Sequence, residues 1–374
     1  MSMHRTPLDL AGLSTAAQRA LGPGPGRMMA ARGMMPLSPV DQLSVLYQLA
    51  LDADATTAAA ARTTAAALPE RLLAGTLADP TLDPRILDFL GDHVVGKPAA
   101  FEALALNPTA GDQTLATLAA RGTAGEVDLI AQNEQRLLRH PEIIAAMYMN
   151  RNARMSTIDR IVELAVRNQV RVPGLAAWDE VARALSGAAP TAPEDDELFA
   201  RAAHVLSGDD SVLTNGDAEQ VLAEDALDPT EGVAPAIEQD IPISRMTMPQ
   251  KIRLAQLGNA FARATLIRDP VRLVAVAAIK SPGVTDIEAA RYAGNQALAE
   301  DVIRYIATRR EWTKMYGVKV SLCRNAKTPV AEAARLLPFL REKDLVNLSK
   351  SRGVSSALIA QARKLMMQRR GPGK

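Results

Sequence analysis

One stretch, residues 267–337, constrains the fold more than any other. It reads IRDPVRLVAVAAIKSPGVTDIEAARYAGNQALAEDVIRYIATRREWTKMYGVKVSLCRNAKTPVAEAARLL. Three times a helix-like run stops at a small polar turn and the next run begins. The turns are Ser281-Pro282-Gly283-Val284-Thr285, Asn295-Gln296-Ala297-Leu298 and Asn325-Ala326-Lys327-Thr328-Pro329. A polar turn residue caps a helix, Pro or Thr starts it, and an apolar stripe then faces the neighbouring helix. The cadence predicts stacked helical repeats and names no substrate.

The same wording recurs upstream as ADPTLDPRILDFL (78–90), LNPTAGDQTLATLA (106–119) and RNARMSTIDRIVELA (151–165). Aligning Asn152 on Asn325 sets Ile158, Ile161 and Leu164 on Ala331, Ala334 and Leu337. Aligning Ser281 there adds Ile287, Ala290 and Ala293. Before these, Ser38 is an N-cap with Pro39 at the first helical position, followed by Leu43, Leu46, Tyr47 and Leu51 at helical spacing. Next comes LDADATTAAAARTTAAALP (51–69), an acidic turn and an Ala-rich helix that carries Arg62. Such a unit is similar to a HEAT-like repeat. Over most of 40–170 and 250–370 the chain resembles the HEAT-like and leucine-rich-repeat-variant α-solenoids. The variant class can carry an N-terminal cysteine-ligated cluster; this chain, with one cysteine, has no ligands for it. The segments LLRHPEIIAAMYMNRNARMSTIDRIVELAVRN and KIRLAQLGNAFARATLIRDPVRLVAVAAIKSP also resemble uncharacterised helical-repeat proteins of deltaproteobacteria. That resemblance implies a fold and a bacterial lineage, and no function.

Composition agrees with helix. Hydrophobic residues are 48% of the 374 and aromatics only 3%. Ala dominates, and Ala loses no side-chain entropy in a helix. The only cysteine, Cys323, excludes an internal disulfide and any Cys-based zinc or iron–sulfur site. The opening MSMHRTPLDLAGLSTAAQRALGPGPGRMM lacks the apolar core of a signal peptide. No run approaches the roughly 18 apolar residues of a membrane span. A cytoplasmic location is expected.

The net charge of +1 hides a split. Residues 246–374 hold 24 Lys+Arg and 9 Asp+Glu, a net of +15, which leaves 19 basic and 33 acidic residues, a net of −14, in 1–245. Such asymmetry points to a polyanionic partner or to contact between acidic and basic parts of the chain. Four segments are expected. Residues 1–37 form a flexible N-terminal arm, broken by Gly22–Gly26 (GPGPG). Residues 38–185 are an N-terminal helical-repeat domain. Residues 186–245 are an acidic low-complexity linker, disordered apart from short helices near 196–206 and 218–226. Residues 246–374 are a basic C-terminal helical-repeat domain. The linker reads as a solvated tether, with folding back onto the basic domain as the alternative.

No chemistry-bearing motif stands out. His4, His93, His140 and His204 share no metal-ligand spacing, and GxSxG, GxxxxGK[ST] and post-strand GxGxxG patterns are missing. Cys323, among Val320, Leu322 and Arg324, reads as a small buried hydrophobe. Glu300-Asp301 in a first helical turn complement the helix dipole. No catalytic, cofactor or metal site is assigned.

The candidate surface is Arg304–Lys319, RYIATRREWTKMYGVK. On one helix Tyr305, Trp312 and Tyr316 fall at i, i+7 and i+11, with Arg309, Arg310, Lys314 and Lys319 off that stripe. Aromatics among basic residues suit nucleic acid, yet a stripe at helical spacing is ordinarily core with a wet basic face. Arg268, Arg272, Arg324 and Lys327 extend the candidate set, and Arg263, Lys280, Arg291, Arg335, Arg341, Lys343, Lys350 and Arg352 add to the excess. In a solenoid, equivalent positions line up on one concave face. Some HEAT-like DNA glycosylases use a basic groove, and no catalytic Asp/Trp pattern carries over from them. The leading expectation is a non-enzymatic cytoplasmic scaffold or adaptor that binds other proteins. The alternative is nucleic-acid binding by the basic C-terminal domain, and a weaker one is a HEAT-like nucleic-acid enzyme.

Overall fold

A computed structural model describes residues 6–186, 191–206 and 242–370. Every regular element among the described residues is a helix and none is a strand, so the protein is all-α. The chain divides into two compact units, Met1–Val172 and Pro173–Lys374.

In each unit, helices two or three apart in the chain pack on one another, giving two rows joined by short turns. In the first unit one row is Ala55–Ala66, Pro84–Val94, Asp112–Arg121 and Glu142–Tyr148. Glu70–Leu77, Pro98–Ala105 and Ala124–Ile130 form the other, and Met155–Arg167 follows through Glu134–Arg139. In the second unit one row is Met248–Leu257, Arg272–Ile279, Glu300–Thr308, Val330–Leu336 and Ser356–Arg370. The other holds Asp286–Gly294, Tyr316–Arg324 and Glu342–Lys350.

A single turn device repeats through both units. At Asp79, Asn107, Asn150, Ser281, Asn295 and Asn325 the side-chain oxygen accepts the amide two residues on. Eight, eleven and twelve residues later come buried positions. They are Leu87, Leu90 and Gly91 after Asp79, Leu115, Leu118 and Ala119 after Asn107, and Ile303, Ile306 and Ala307 after Asn295. Ala333, Leu336 and Leu337 follow Asn325 in the same way. Three of the turn residues also reach back one layer. Asn107 Nδ2 donates to the Leu77 and Asp79 carbonyls, Asn150 Nδ2 to those of Ala119 and Gly122, and Asn325 Nδ2 to those of Ala293 and Asn295. Helix C-termini leave carbonyls without intrahelical partners, and these amides satisfy them across the layer. The partner of Asn325 is therefore Asn150, not Asn152, and the alignment read from sequence is two residues out of register. In the observed one, Ile158, Ile161 and Val162 match Ala333, Leu336 and Leu337, and all six are buried.

Three expected segment boundaries differ. The described part of the N-terminal arm is not a free arm. Thr15–Ala20 and Pro25–Ala31 pack on Pro39–Ala50 and Ala55–Ala66, burying Ala17, Ala20, Leu21, Ala30 and Ala31. Gly24, with φ +117°, turns the chain, and Pro25 takes the first helical position, so the Gly-Pro pattern starts a helix. Arg27 then pairs with Asp52 at 2.5 Å. The domain boundary falls at 172/173 rather than 185/186, because Trp178–Leu185 packs on Met248–Leu257 and Arg272–Ile279. Pro193–Val205, expected within the linker, also packs on Met248–Leu257: Phe199 is 1% exposed, the Arg253 guanidinium lies 4.7 Å from its ring centre, and Gln250 Nε2 donates to the Asp195 carbonyl. Its acidic first turn, Glu194, Asp195 and Asp196, hides an apolar face of Phe199, Ala202 and Ala203. The rest of the expected linker, 187–190 and 207–241, with its second helix near 218–226, lies outside the described residues.

Candidate binding surface

Residues 304–319 do not form one helix. Glu300–Thr308 ends at Arg309, a short helix Arg310–Thr313 follows, and Tyr316–Arg324 begins the next layer. The three aromatics therefore part. Tyr305 and Trp312 meet edge to face, 6.1 Å between ring centres at 70°. Trp312 is 9% exposed and belongs to the core. Tyr316 instead donates its hydroxyl to Asp344 and accepts the Arg341 amide at 2.8 Å. Burial, followed by the Asp344 bond, raises its phenol above the ordinary value.

What the structure assembles is a series of turns on one edge of the second unit, each following a helix of the same row. The turn after Arg272–Ile279 carries Lys280, whose Nζ lies 5.8 Å from the Tyr305 ring centre and pairs with Glu180 at 2.9 Å. The turn after Glu300–Thr308 carries Arg309, with its guanidinium 4.7 Å from the same ring, and the exposed Arg310 and Lys314. The turn after Val330–Leu336 carries Phe339, 62% exposed, with Lys319 Nζ 5.5 Å from its ring, and Arg341, 4.4 Å over Tyr316. Arg369, near the end of Ser356–Arg370, donates to the Leu340 and Pro338 carbonyls and joins the same edge. Cations over aromatic faces gain about 0.5–1 kcal/mol each at exposed sites, so these side chains are held in place. Four acidic side chains share the edge, Glu180, Glu311, Glu342 and Asp344; Glu180 is taken by Lys280, and Asp344 accepts Tyr316 and pairs with Arg324 at 3.6 Å.

The other candidate residues lie elsewhere. Arg268 and Lys327 occupy the opposite set of turns, where Lys327 Nζ donates to the Ala297 and Leu298 carbonyls. Arg272 pairs with Asp301, and Arg304 with Glu300. Arg263, counted in sequence with the basic surface, is 2% exposed and belongs to the interior. Much of the excess is structural: Arg335 donates to the Ala307 carbonyl and Arg363 to that of Ser349, as Lys97 does to Ala66 and Leu68 in the first unit. Positive charge at a helix C-terminus complements both the dipole and the orphan carbonyls. Sequence reasoning missed Phe339; an aromatic in the turn LPF, between two short amphipathic runs, was its signal.

The remaining chemistry-bearing groups are scattered. His140 Nε2 lies 3.0 Å from Asp112 Oδ2 on the first unit. Cys323 is buried, and burial pushes its thiol up to about 12. Among the described residues no three His, Cys, Asp or Glu side chains are grouped to hold a metal, and no helix is long and apolar enough to cross a membrane. A cavity of about 240 Å³ in the first unit is lined by Leu106, Leu115, Leu129, Leu137 and Ile143. At its polar end Arg136 is already engaged by Asp112 and the Ala110 carbonyl. No protein family, curated protein or solved structure matches this chain.

Proposed function

We propose that this chain is a non-enzymatic helical-repeat scaffold of the HEAT-like and leucine-rich-repeat-variant kind, which binds other proteins in the cytoplasm. One observation carries the reading: the same turn, with the same buried positions eight, eleven and twelve residues on, recurs at six places in both units. Repeated layers that touch only their neighbours build long surfaces rather than one enclosed pocket. A single buried thiol suits a reducing compartment.

The repeat itself is testable by excision. Deleting 295–324, one 30-residue period from Asn295 to the residue before Asn325, removes one whole layer. The shortened chain should fold cooperatively with proportionate helicity, while deletion of 295–309 should not. Equal collapse of both deletions would reject the repeat. For function, the full chain should capture the same partner protein at fixed stoichiometry in independent preparations, and a chain with the layer removed should lose it. Capture unaffected by the excision would reject the scaffold reading.

Nucleic-acid binding by the basic region is the second reading. It is favoured by the cation-on-ring contacts of Lys280, Arg309, Lys319 and Arg341, all of which fall on one edge. Salt-dependent retention of the chain on immobilised nucleic acid tests it.

A further inference from the structure

We infer that this edge is a binding track for single-stranded nucleic acid, with Phe339 as a base-stacking platform; the inference rests on the second reading above. Three features lead there. The first is the exposed ring. Phe339 is 62% exposed, in the short helical turn Leu337–Phe339, in a chain of which only 3% is aromatic. A folding core gains nothing from a phenyl ring held in water, whereas every base has a face that stacks on one. The second is the cation set. Arg309, Arg310, Lys314, Lys319 and Arg341 lie on the same edge as the ring, within two successive turns. The guanidinium carbons of Arg309 and Arg341 lie over the Tyr305 and Tyr316 rings, at 4.7 and 4.4 Å, and Arg309 Nη2 also donates to the Tyr305 hydroxyl. A guanidinium held over a ring in this way is fixed in place with its remaining N–H groups directed outward for phosphate.

The third is the geometry of the track. Helices packed in one row lie roughly 8–10 Å apart, so three successive turns extend over about 20 Å. That is a line of cations and rings made of turns. Reading a duplex by its bases takes an element that enters the major groove, usually a helix or a β-ribbon. Here the helices lie in rows and only their turns reach the edge. A flexible strand can follow such a line, placing phosphates on Arg310 and Lys314 and a base on Phe339. A peptide of acidic side chains alone would satisfy the cations and leave the exposed ring uncovered.

The experiment uses the full chain and fluorescence anisotropy with labelled oligo(dT) and oligo(U) of about 20 nucleotides. A duplex of the same length is the comparison, and poly-glutamate the competitor. The expected result is binding of both single strands at least about tenfold tighter than duplex, with affinity falling steeply as salt rises. Phe339→Ala should weaken single-strand binding by about 5- to 100-fold without altering the salt slope, as loss of one stacked base does. Lys314→Glu should lower the slope by about 0.7 for each phosphate that is no longer neutralised. Arg352→Glu, on the opposite set of turns, is the control and should change little. Phe339 is exposed, so the variant is expected to fold; its melting temperature is measured alongside. Three outcomes overturn the inference. Duplex bound as tightly as single strand, with Phe339→Ala silent, leaves a general polyanion surface and spares the second reading. Displacement by poly-glutamate as readily as by unlabelled oligonucleotide assigns the edge to an acidic protein. No binding at low salt rejects the inference and the second reading together.

Discussion

Arg263 and Glu288 meet inside the second unit as a two-pronged ion pair, Nε to Oε1 at 2.9 Å and Nη2 to Oε2 at 3.0 Å. Their side chains are only 3% and 7% exposed. Further hydrogen bonds hold the pair: Arg263 Nη1 donates to the Gly258 carbonyl, and Glu288 accepts from the Thr285 amide and from Tyr292. Removing one partner strands the other charge. Glu288→Leu or Arg263→Met should each cost about 3–5 kcal/mol in urea unfolding. Arg263→Met with Glu288→Leu should cost less than the sum of the singles. Additive losses would show that the two charges are not coupled.

Gly283 guards the same pair. A Cβ there would stand 2.6 Å from Arg263 Nη1, so Gly283→Ala must push the guanidinium aside. A loss of about 1–3 kcal/mol is expected from such overpacking. In the Arg263→Met background the same change should be nearly silent. An equal loss in both backgrounds would place the strain elsewhere.

Asn150 gives a sharper test, because a carboxylate has the shape of an amide but puts an acceptor where the amide nitrogen donates. Its Nδ2 donates to the Ala119 and Gly122 carbonyls, each at 2.8 Å, and the residue is 3% exposed. Asn150→Ala leaves the Ala119 carbonyl without its donor and the Gly122 carbonyl with only the 3.4 Å bond from Asn152 Nδ2, and should cost about 1–3 kcal/mol. Asn150→Asp replaces the NH2 group that makes both bonds by an acceptor oxygen aimed at those carbonyls, so it should cost more than Ala, by urea midpoint at neutral pH. If Asp proves milder than Ala, the amide is not what joins the layers.

These residues show where the sequence was legible. The all-helical class was, because Ala content, Ser38 before Pro39 and the polar turns are local signals that local structure obeys. The repeat register was not. RNAR follows MN, so Asn150 and Asn152 both look like turn residues, and the choice is made by carbonyls about 30 residues upstream. Arg263 was assigned to the surface because its partner, Glu288, is 25 residues away. In 191–206, four acidic residues near the start of a helix outweighed Phe199, Ala202 and Ala203, which need a neighbour to become a core. On the candidate edge, Arg309, Arg310, Lys314 and Lys319 were found by composition. Phe339 was not, since a lone aromatic becomes informative only once its exposure is known.

Acid should unfold the first unit through its turn carboxylates. Asp79 is held below the ordinary value by the Thr81 hydroxyl and amide, and Asp83 by the Arg85 guanidinium. Asp52 is lowered by the Asp54 amide and by Arg27. A carboxylate whose folded value is depressed stabilises the fold at pH above its unfolded value, near 3.8. That contribution fades as pH falls through the lower folded value, because the unfolded chain binds protons first. The melting temperature should therefore be flat above about pH 5 and drop below about pH 4. Asp83→Asn should melt lower at pH 7 and converge with the parent near pH 2. A constant gap at every pH would show that charge is not what Asp83 contributes.

Cys323 tests whether the layers open. Its Sγ faces the Ala333 carbonyl at 3.6 Å, between Tyr316–Arg324 and Val330–Leu336, and burial pushes the thiol up to about 12. At pH 8 the native thiol is protonated and shielded, so a disulfide reagent should label it only when these helices separate. The labelling rate in native buffer should be orders of magnitude below that in urea, where one equivalent reacts at once. Variants that weaken the next layer, such as Asn325→Ala, should raise the native rate in step with their loss of stability, because Asn325 joins the layers on either side of the thiol. Rapid labelling of the folded parent chain would put a usable thiolate at the surface. A nucleophilic role for Cys323 would then have to be considered in place of a packing one.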